Sequence, residues 1–418
     1  MESATQFLVL IFKYTSPFYS PMSQYFVNQL TSEEINEKIK GYSSWIEIDL
    51  DAITHNLEQV RERTENRPVI PCVKSNAYGH GVVPVVAHMM EQGVEMVLVA
   101  KLYEAMQLRD AGLDVGIVSI DPLFSDTDYA KVVEQDITQT IYQPEPARRL
   151  NAAAEKAGKV TPVWVKVDTG LGRVGVGWSE AVDFIKKIDD YPHLGLTGIF
   201  STMSEADELD RKQVQRILDI ERECNKIGID VGVKSIASSN AVFHKPYTYL
   251  DATRPGLMLM GFYPEDDDTG QGIELKQSLC WKARIEHVKW IEEGEALTYS
   301  RRFVAPKRMK VGTVHIGYYD GFPRGLTKKG KVRVGDQIKD VLGTVSVNHF
   351  LVDLTDTDHE IGDVVEAISR EGENNALNVA NLAGIMTYSL GNGLHMLLPR
   401  VYYRNGKSVA LTSPRLVE

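Results

Sequence analysis

Cysteine is scarce in this chain: three among 418 residues, Cys72, Cys224 and Cys280, with no metal-like spacing and no way for all three to pair. That excludes a disulfide framework and a cysteine-ligated zinc centre, and a reduced, cytoplasmic compartment is the expectation. Positive charge is also short. Lys and Arg number 46 against 57 Asp and Glu, a net charge of −11, which gives nucleic acid no electrostatic reason to bind. Long apolar runs are missing too. The stretch Phe7–Phe12 is too short to span a bilayer, and it has neither a basic segment before it nor a small-residue cleavage site after it. No membrane association is therefore expected. Residues 1–43 read as an N-terminal extension that docks on the body or is loosely ordered. Finally, no Gly-x-Gly-x-x-Gly follows the first strand of the repeating region, which argues against an open dinucleotide-binding sheet.

What is present is an ordinary globular composition, 43% apolar and 25% charged, at a length that fits roughly two or three domains with a large core. Strand-like segments fall at 69–74, Met96–Ala100, Val115–Ile120, Thr138–Tyr142, Pro162–Asp168, Leu196–Thr202, Val231–Ala237 and Tyr249–Arg254. Helical segments lie between them, such as Leu102–Arg109, whose apolar residues recur at three and four and which Gly112 closes. Eight strands alternating with helices predict an α/β fold of the closed (β/α)8, TIM-type kind over residues 44–275.

Beyond residue 275 the pattern becomes mostly antiparallel β, a second domain over 276–418. Strands are expected at Lys310–Gly317, Lys331–Val334, Gln337–Val347, Phe350–Leu354 and Val364–Ile368, with a hairpin over Val401–Leu411 turning on Asn405-Gly406. Trp45–Leu50 alternates cleanly ahead of the barrel and is assignable to that second sheet.

The run Val73-Lys74-Ser75-Asn76-Ala77-Tyr78-Gly79-His80-Gly81 ends a short apolar strand on a lysine. An ammonium there is costly unless paired or used chemically, and the two glycines allow backbone to approach a ligand closely. Lys74 is thus a candidate Schiff-base residue for pyridoxal phosphate, set against the plain alternative of a paired or snorkelled side chain. In a barrel the C-terminal strand ends converge. They would gather Lys74, Lys166, Asp168, Thr202, Ser238, Ser239 and Arg254. Ser239 and the turn Arg254-Pro255-Gly256-Leu257 could supply hydroxyl and amide donors to a phosphate.

Five separated motifs, in order, resemble the alanine racemase family, pyridoxal-phosphate enzymes built from a barrel and a β domain. They are the Lys74 run; Lys166-Val167-Asp168-Thr169-Gly170-Leu171-Gly172-Arg173; Arg254-Pro255-Gly256; Thr298-Tyr299 ahead of Arg302-Phe303; and Gly317-Tyr318-Tyr319-Asp320-Gly321-Phe322-Pro323-Arg324. The likeness runs from about residue 44 to near the end. It implies an amino-acid racemase, with alanine the default substrate, acting by two opposed bases, Lys74 and Tyr299. It also implies a homodimer in which the Tyr299 side of one subunit completes the barrel site of the other. Arg254 would face the pyridine nitrogen and, always protonated, keep a proton off it. Arg173 would bind the substrate carboxylate or the cofactor's phenolic oxygen. Tyr78, Ser239, Gly256, Leu257 and Tyr388 would surround the cofactor phosphate. Lys166 either carries a carbamate that orients Arg173 or pairs with Asp168 as a rim salt bridge. Asp207 and Arg324 correspond to outer entrance residues.

The chain departs from the family pattern at several points. Gly343-Thr344-Val345-Ser346-Val347-Asn348 stands where Gly-Arg-x-Cys-Met-Asp is usual, so Val347 and Asn348 should widen the pocket and make it less acidic. A backbone amide at Val347 can still hold the substrate carboxylate. Thr202 replaces a histidine, Ser300 a glycine, and Ala237-Ser238-Ser239-Asn240-Ala241 varies the usual Ala-Asn-Ser-Ala. These differences open two alternatives: a racemase for serine or another amino acid, and a non-catalytic pyridoxal-phosphate carrier. A decarboxylase of similar architecture would place a carboxylate where Arg254 stands.

Overall fold

The computed structural model describes residues 24–414, so the apolar run at 7–12 lies outside the described residues. Six parallel strands follow one another around the first domain: Met96–Val99, Gly116–Ser119, Thr138–Ile141, Thr161–Asp168, Leu194–Phe200 and Val233–Ser235. The two remaining expected strands, 69–74 and 249–254, are not regular ones. They meet as isolated bridges, Val69 with Thr253 and Cys72 with Leu98. The ring still closes through backbone hydrogen bonds: Ile70 to Thr253 (2.8 Å), Val73 to Leu98 (2.9 Å) and Arg254 to Ala237 (2.9 Å). Prolines at 68, 71 and 255 explain the difference, because each removes a ladder donor.

Inside the ring, Ile70, Leu98, Val118, Trp164, Phe200 and Ala252 form a separate buried cluster. Gly198 is needed there, since a Cβ would stand 2.6 Å from the Trp164 indole.

The second domain is a nine-stranded sheet organised around Leu279–Ile291, a long strand not foreseen in the sequence. It pairs antiparallel with Ser44–Asp49, Met309–Val314 and Val364–Ile368. Ser44–Asp49 also lies parallel to Arg400–Arg404, which places this segment in the β sheet. The expected hairpin is present as Arg400–Arg404 and Lys407–Thr412. Its turn residues Asn405 and Gly406 have φ of 50° and 71°, the left-handed pair that suits a tight hairpin. The strand expected at Gln337–Val347 stops at Leu342, where Gly343 turns to φ 64° beneath Thr298.

The described part of the N-terminal extension docks on this sheet. Its helix Ser32–Ile39 is capped reciprocally by Thr31 and Glu34. Ile35 packs with Trp45, Val401 and Leu411. Among the described residues no helix is long and apolar enough to cross a membrane.

Candidate active site

Lys74 stands at the barrel mouth, half-buried, at the head of an unusual turn. Ser75, Asn76, Ala77 and Tyr78 all have positive φ, between 50° and 57°. A left-handed turn of non-glycine residues costs roughly 1–2 kcal/mol per residue, so other contacts must hold it. Buried Glu104 is the main one. Its carboxylate accepts the amides of Asn76 (3.1 Å), Ala100 (2.9 Å) and Lys101 (3.1 Å). The β domain adds Arg400, donating to the Gly79 carbonyl (2.7 Å), and Tyr402, donating to that of His80 (3.0 Å). At Gly81, φ is 95° and a Cβ would lie 1.9 Å from the Tyr402 oxygen, so only glycine fits. Burial pulls His80 down to about 4, leaving it neutral, and its Nδ1 lies 3.1 Å from the Ala77 and Tyr78 carbonyls.

Glu104 is at the third position of the helix Leu102–Asp110, but Lys101 at the cap is not the Ser, Thr, Asp or Asn of a reciprocal cap, so no local pattern marks it. Glu104→Ala is expected to lower stability by about 3 kcal/mol, because three amides lose their acceptor. Urea unfolding should show a reduced midpoint, and Glu104→Gln, which keeps one carbonyl oxygen, should fall less.

The opposite side of the mouth is cationic. Arg254 donates from Nε to Ser235 (3.0 Å) and from one Nη to the Ser201 carbonyl (2.6 Å). Its guanidinium also lies 4.8 Å from the centre of the Phe200 ring. Burial draws Arg254 down to about 10, so it stays protonated at neutral pH.

Lys166, on the Thr161–Asp168 strand, packs its ammonium 4.6 Å from the same ring and donates to Thr202 (2.8 Å). Of the two expectations for Lys166, a carbamate or a rim salt bridge with Asp168, the second is not met. The structure instead gives the Asp168 carboxylate to the amides of Gly170 (2.9 Å) and Gly172 (3.1 Å), because the glycine-rich loop that follows turns back over it. Burial first, then Arg254 and Arg173, lowers Lys166 to about 7.

Between the ordinary value of 10.5 and about 7, the unfolded chain holds the Lys166 proton while the folded chain releases it. Stability from this group is therefore present at high pH and is lost as pH falls through that window. Lys166→Met is expected to flatten this slope, seen as a smaller difference in melting temperature between pH 7 and pH 10 than in the parent.

A third group of side chains surrounds the Arg254-Pro255-Gly256-Leu257 turn. Ser239, which opens the short helix Ser239–His244, accepts the Gly256 amide (3.0 Å). Tyr78 comes so close to Gly256 that a Cβ would meet its hydroxyl at 2.2 Å. Tyr78 and Tyr388 meet edge to face at 5.8 Å. Burial, with Cys72 next, raises Tyr78 well above the ordinary phenol value and Tyr388 to about 12. Both phenols therefore keep their protons and can donate. Leu257 is buried at the start of the turn Leu257–Met260.

Tyr299 and Val347 stand apart from these groups, whereas Arg173 lies close enough to Lys166 to help lower it. Arg173 is exposed on the loop after the Thr161–Asp168 strand. Tyr299 is 75% exposed on the β domain. The Thr344 amide donates to Thr298 Oγ1 (3.1 Å), which ties the Tyr299 segment to the head of the run carrying Val347. Val347 is itself exposed, and its carbonyl accepts the Tyr319 amide (3.0 Å). Among the described residues no hydrogen bond or ring contact joins Tyr299 or Val347 to Lys74, Arg173 or Arg254. Ser300 sits at φ 60°, a conformation that explains why glycine suits that position. The barrel mouth and the tyrosine-bearing surface are thus separate groups within one chain.

Comparison with known proteins agrees with the motifs. Residues 48–264 match the alanine racemase N-terminal domain and residues 278–402 the alanine racemase C-terminal domain. Alanine racemase of Halothermothrix orenii is 34% identical over 367 residues, covering 86% of this chain and 96% of that protein. The Clostridium tetani enzyme is 31% identical over 379 residues, covering 88% and 97%. The crystal structure of alanine racemase from Bacillus anthracis with bound L-Ala-P superposes with a TM-score of 0.82 at 26% identity, covering 90% of this chain and 99% of that one. Motifs, fold and relatives agree: the chain belongs to the alanine racemase family.

Proposed function

We propose that this chain is a pyridoxal-phosphate-dependent alanine racemase, acting in the cytoplasm as a homodimer whose two sites each draw on both subunits. One observation carries the reading: Lys74 shares a barrel mouth with a protonated Arg254 and a cradle of hydroxyl donors, while Tyr299 stands uncovered elsewhere on the same chain. The cradle suits the cofactor. Two protonated phenols and Ser239 match a phosphate's need for donors, and Gly256 provides the close backbone approach.

When bound, pyridoxal phosphate supplies a conjugated ring that delocalises the electron pair left at Cα. Lys74 would anchor it and exchange a proton with Cα from one face. Tyr299 of a second copy would exchange a proton from the other. Opposed bases are what inversion of the centre requires. Arg254, protonated at neutral pH, would not release a proton to the ring nitrogen, which would limit the sink and shorten the life of charge at Cα. Arg173 and the Val347 amide would hold the substrate carboxylate, and that amide has no acceptor of its own among the described residues. Lys166, surrounded by Arg254, Arg173 and Lys74 and depressed to about 7, is substantially a free amine near neutral pH. That is the form carbon dioxide converts to a carbamate with release of a proton, and the resulting anion would suit three cationic neighbours.

The test is incubation of the purified holoenzyme with L-alanine in heavy water. D-alanine should accumulate with deuterium at Cα. Neither D-product nor exchange would reject the assignment. Exchange and inversion faster with L-serine than with L-alanine would move the substrate to the polar amino acid that the Val347-Asn348 change favours.

A further inference from the structure

We propose that Glu286, His315 and His349 form a binding site for a first-row divalent transition-metal ion of the zinc class, on the β domain and outside the barrel mouth. Three neighbouring strands build it. Met309–Val314 lies between Leu279–Ile291 and Phe350–Asp353, pairing with both. Val314 faces Phe350 across one ladder, so His315, one residue beyond, and His349, one residue before, project from adjoining strand ends. Across the other ladder the register slips: Thr313 faces His287 but Val314 faces Ile285. Glu286 is therefore the extra residue of a bulge, a device that re-aims a side chain.

The result is convergent. Glu286 Oε2 lies 2.9 Å from His315 Nδ1 and Oε1 lies 2.9 Å from His349 Nε2. The imidazoles meet at 4.8 Å and 85°. One ligating atom from each residue falls within 4.8 Å of the others, the one such grouping of metal-capable side chains among the described residues.

Two imidazoles and a carboxylate suit zinc, cobalt or nickel rather than magnesium or calcium, which prefer all-oxygen sets. Three protein ligands also leave a position for water. All three side chains are 38–44% accessible, so an ion can reach them. On binding, the ion replaces the hydrogen-bonding protons between carboxylate and rings, and each ligating nitrogen gives its proton to solvent or to the ring's other nitrogen. The site also has a structural setting. The Ser346 amide donates to the His349 carbonyl (2.8 Å), and the Tyr318 and Tyr319 amides donate to Ser346 and Val347 (3.0 Å each). An ion here would fasten together the two segments that present Val347.

Chelator-treated holoenzyme titrated with Co2+ should show visible ligand-field absorption saturating at one ion per chain, displaced by Zn2+. His315→Ala and His349→Ala should each weaken binding at least about tenfold, while His287→Ala, whose side chain is outside the cluster, should bind like the parent. Binding undiminished in both cluster variants, or no saturable binding by the parent, overturns the proposal. The titration does not depend on the reaction assigned above.

Discussion

Lys74→Ala is expected to lower alanine racemisation at least about 10³-fold and to leave a protein from which pyridoxal phosphate is lost on desalting. In the proposed reaction, the substitution removes at once the nucleophile that would hold the cofactor and one of the two bases. Its structural cost should be small. The left-handed turn that follows Lys74 is fastened through backbone groups, by Glu104 at the Asn76 amide and by Arg400 and Tyr402 at the Gly79 and His80 carbonyls. None of these contacts uses the lysine side chain. Thermal unfolding of the apo forms should therefore coincide for parent and variant. Tyr78, Ser239, Gly256 and Tyr388, the proposed phosphate cradle, are untouched, so added cofactor should still bind weakly and reversibly. A small primary amine such as methylamine should restore part of the exchange by replacing the missing nucleophile. Retention of more than about a tenth of parental activity would remove Lys74 from the reaction.

The sequence was most legible where function or turn chemistry is written in contiguous residues. The residue types of the Lys74 run and of Arg254-Pro255-Gly256 are visible as contiguous motifs, and the Asn405-Gly406 hairpin carries its own local cause in a left-handed turn pair. Barrel periodicity was readable for the same reason, since alternation of strand and helix is a short-range pattern. What escaped is set by contacts distant in sequence. The positive φ of Ser75 through Tyr78 runs against local preference and is imposed by Glu104, nearly thirty residues on, and by Arg400 and Tyr402 over three hundred residues on. The strand Leu279–Ile291 changes from buried to exposed along its length, so no single period marks it. Lys166 was offered Asp168, two residues away on its own strand, but Thr202 on the neighbouring strand end receives its hydrogen bond. Glu286 could not be foreseen at all as a partner of His315 and His349, because the bulge that aims it is a property of the ladder.

Tyr299→Phe is expected to reduce racemisation in both directions by about 10²–10⁴-fold, the usual worth of a positioned acid or base, with cofactor content unchanged. The hydroxyl is 75% exposed with its residue, so its removal leaves no buried group unsatisfied and the fold should be unaffected. Because Lys74 remains, Cα exchange in heavy water should persist from the one enantiomer whose proton faces the lysine and vanish from the other. Mixing this variant with Lys74→Ala then tests how the sites are assembled. If each site pairs Lys74 of one subunit with Tyr299 of the other, a heterodimer of the two variants holds one intact site and one lacking both groups. Random re-association of equal amounts gives heterodimers as half the population, each with half its sites active. Activity should thus rise from near zero to about a quarter of the parent's. Sites contained within single chains would give no recovery at any mixing ratio, and the uncovered Tyr299 would then need another explanation.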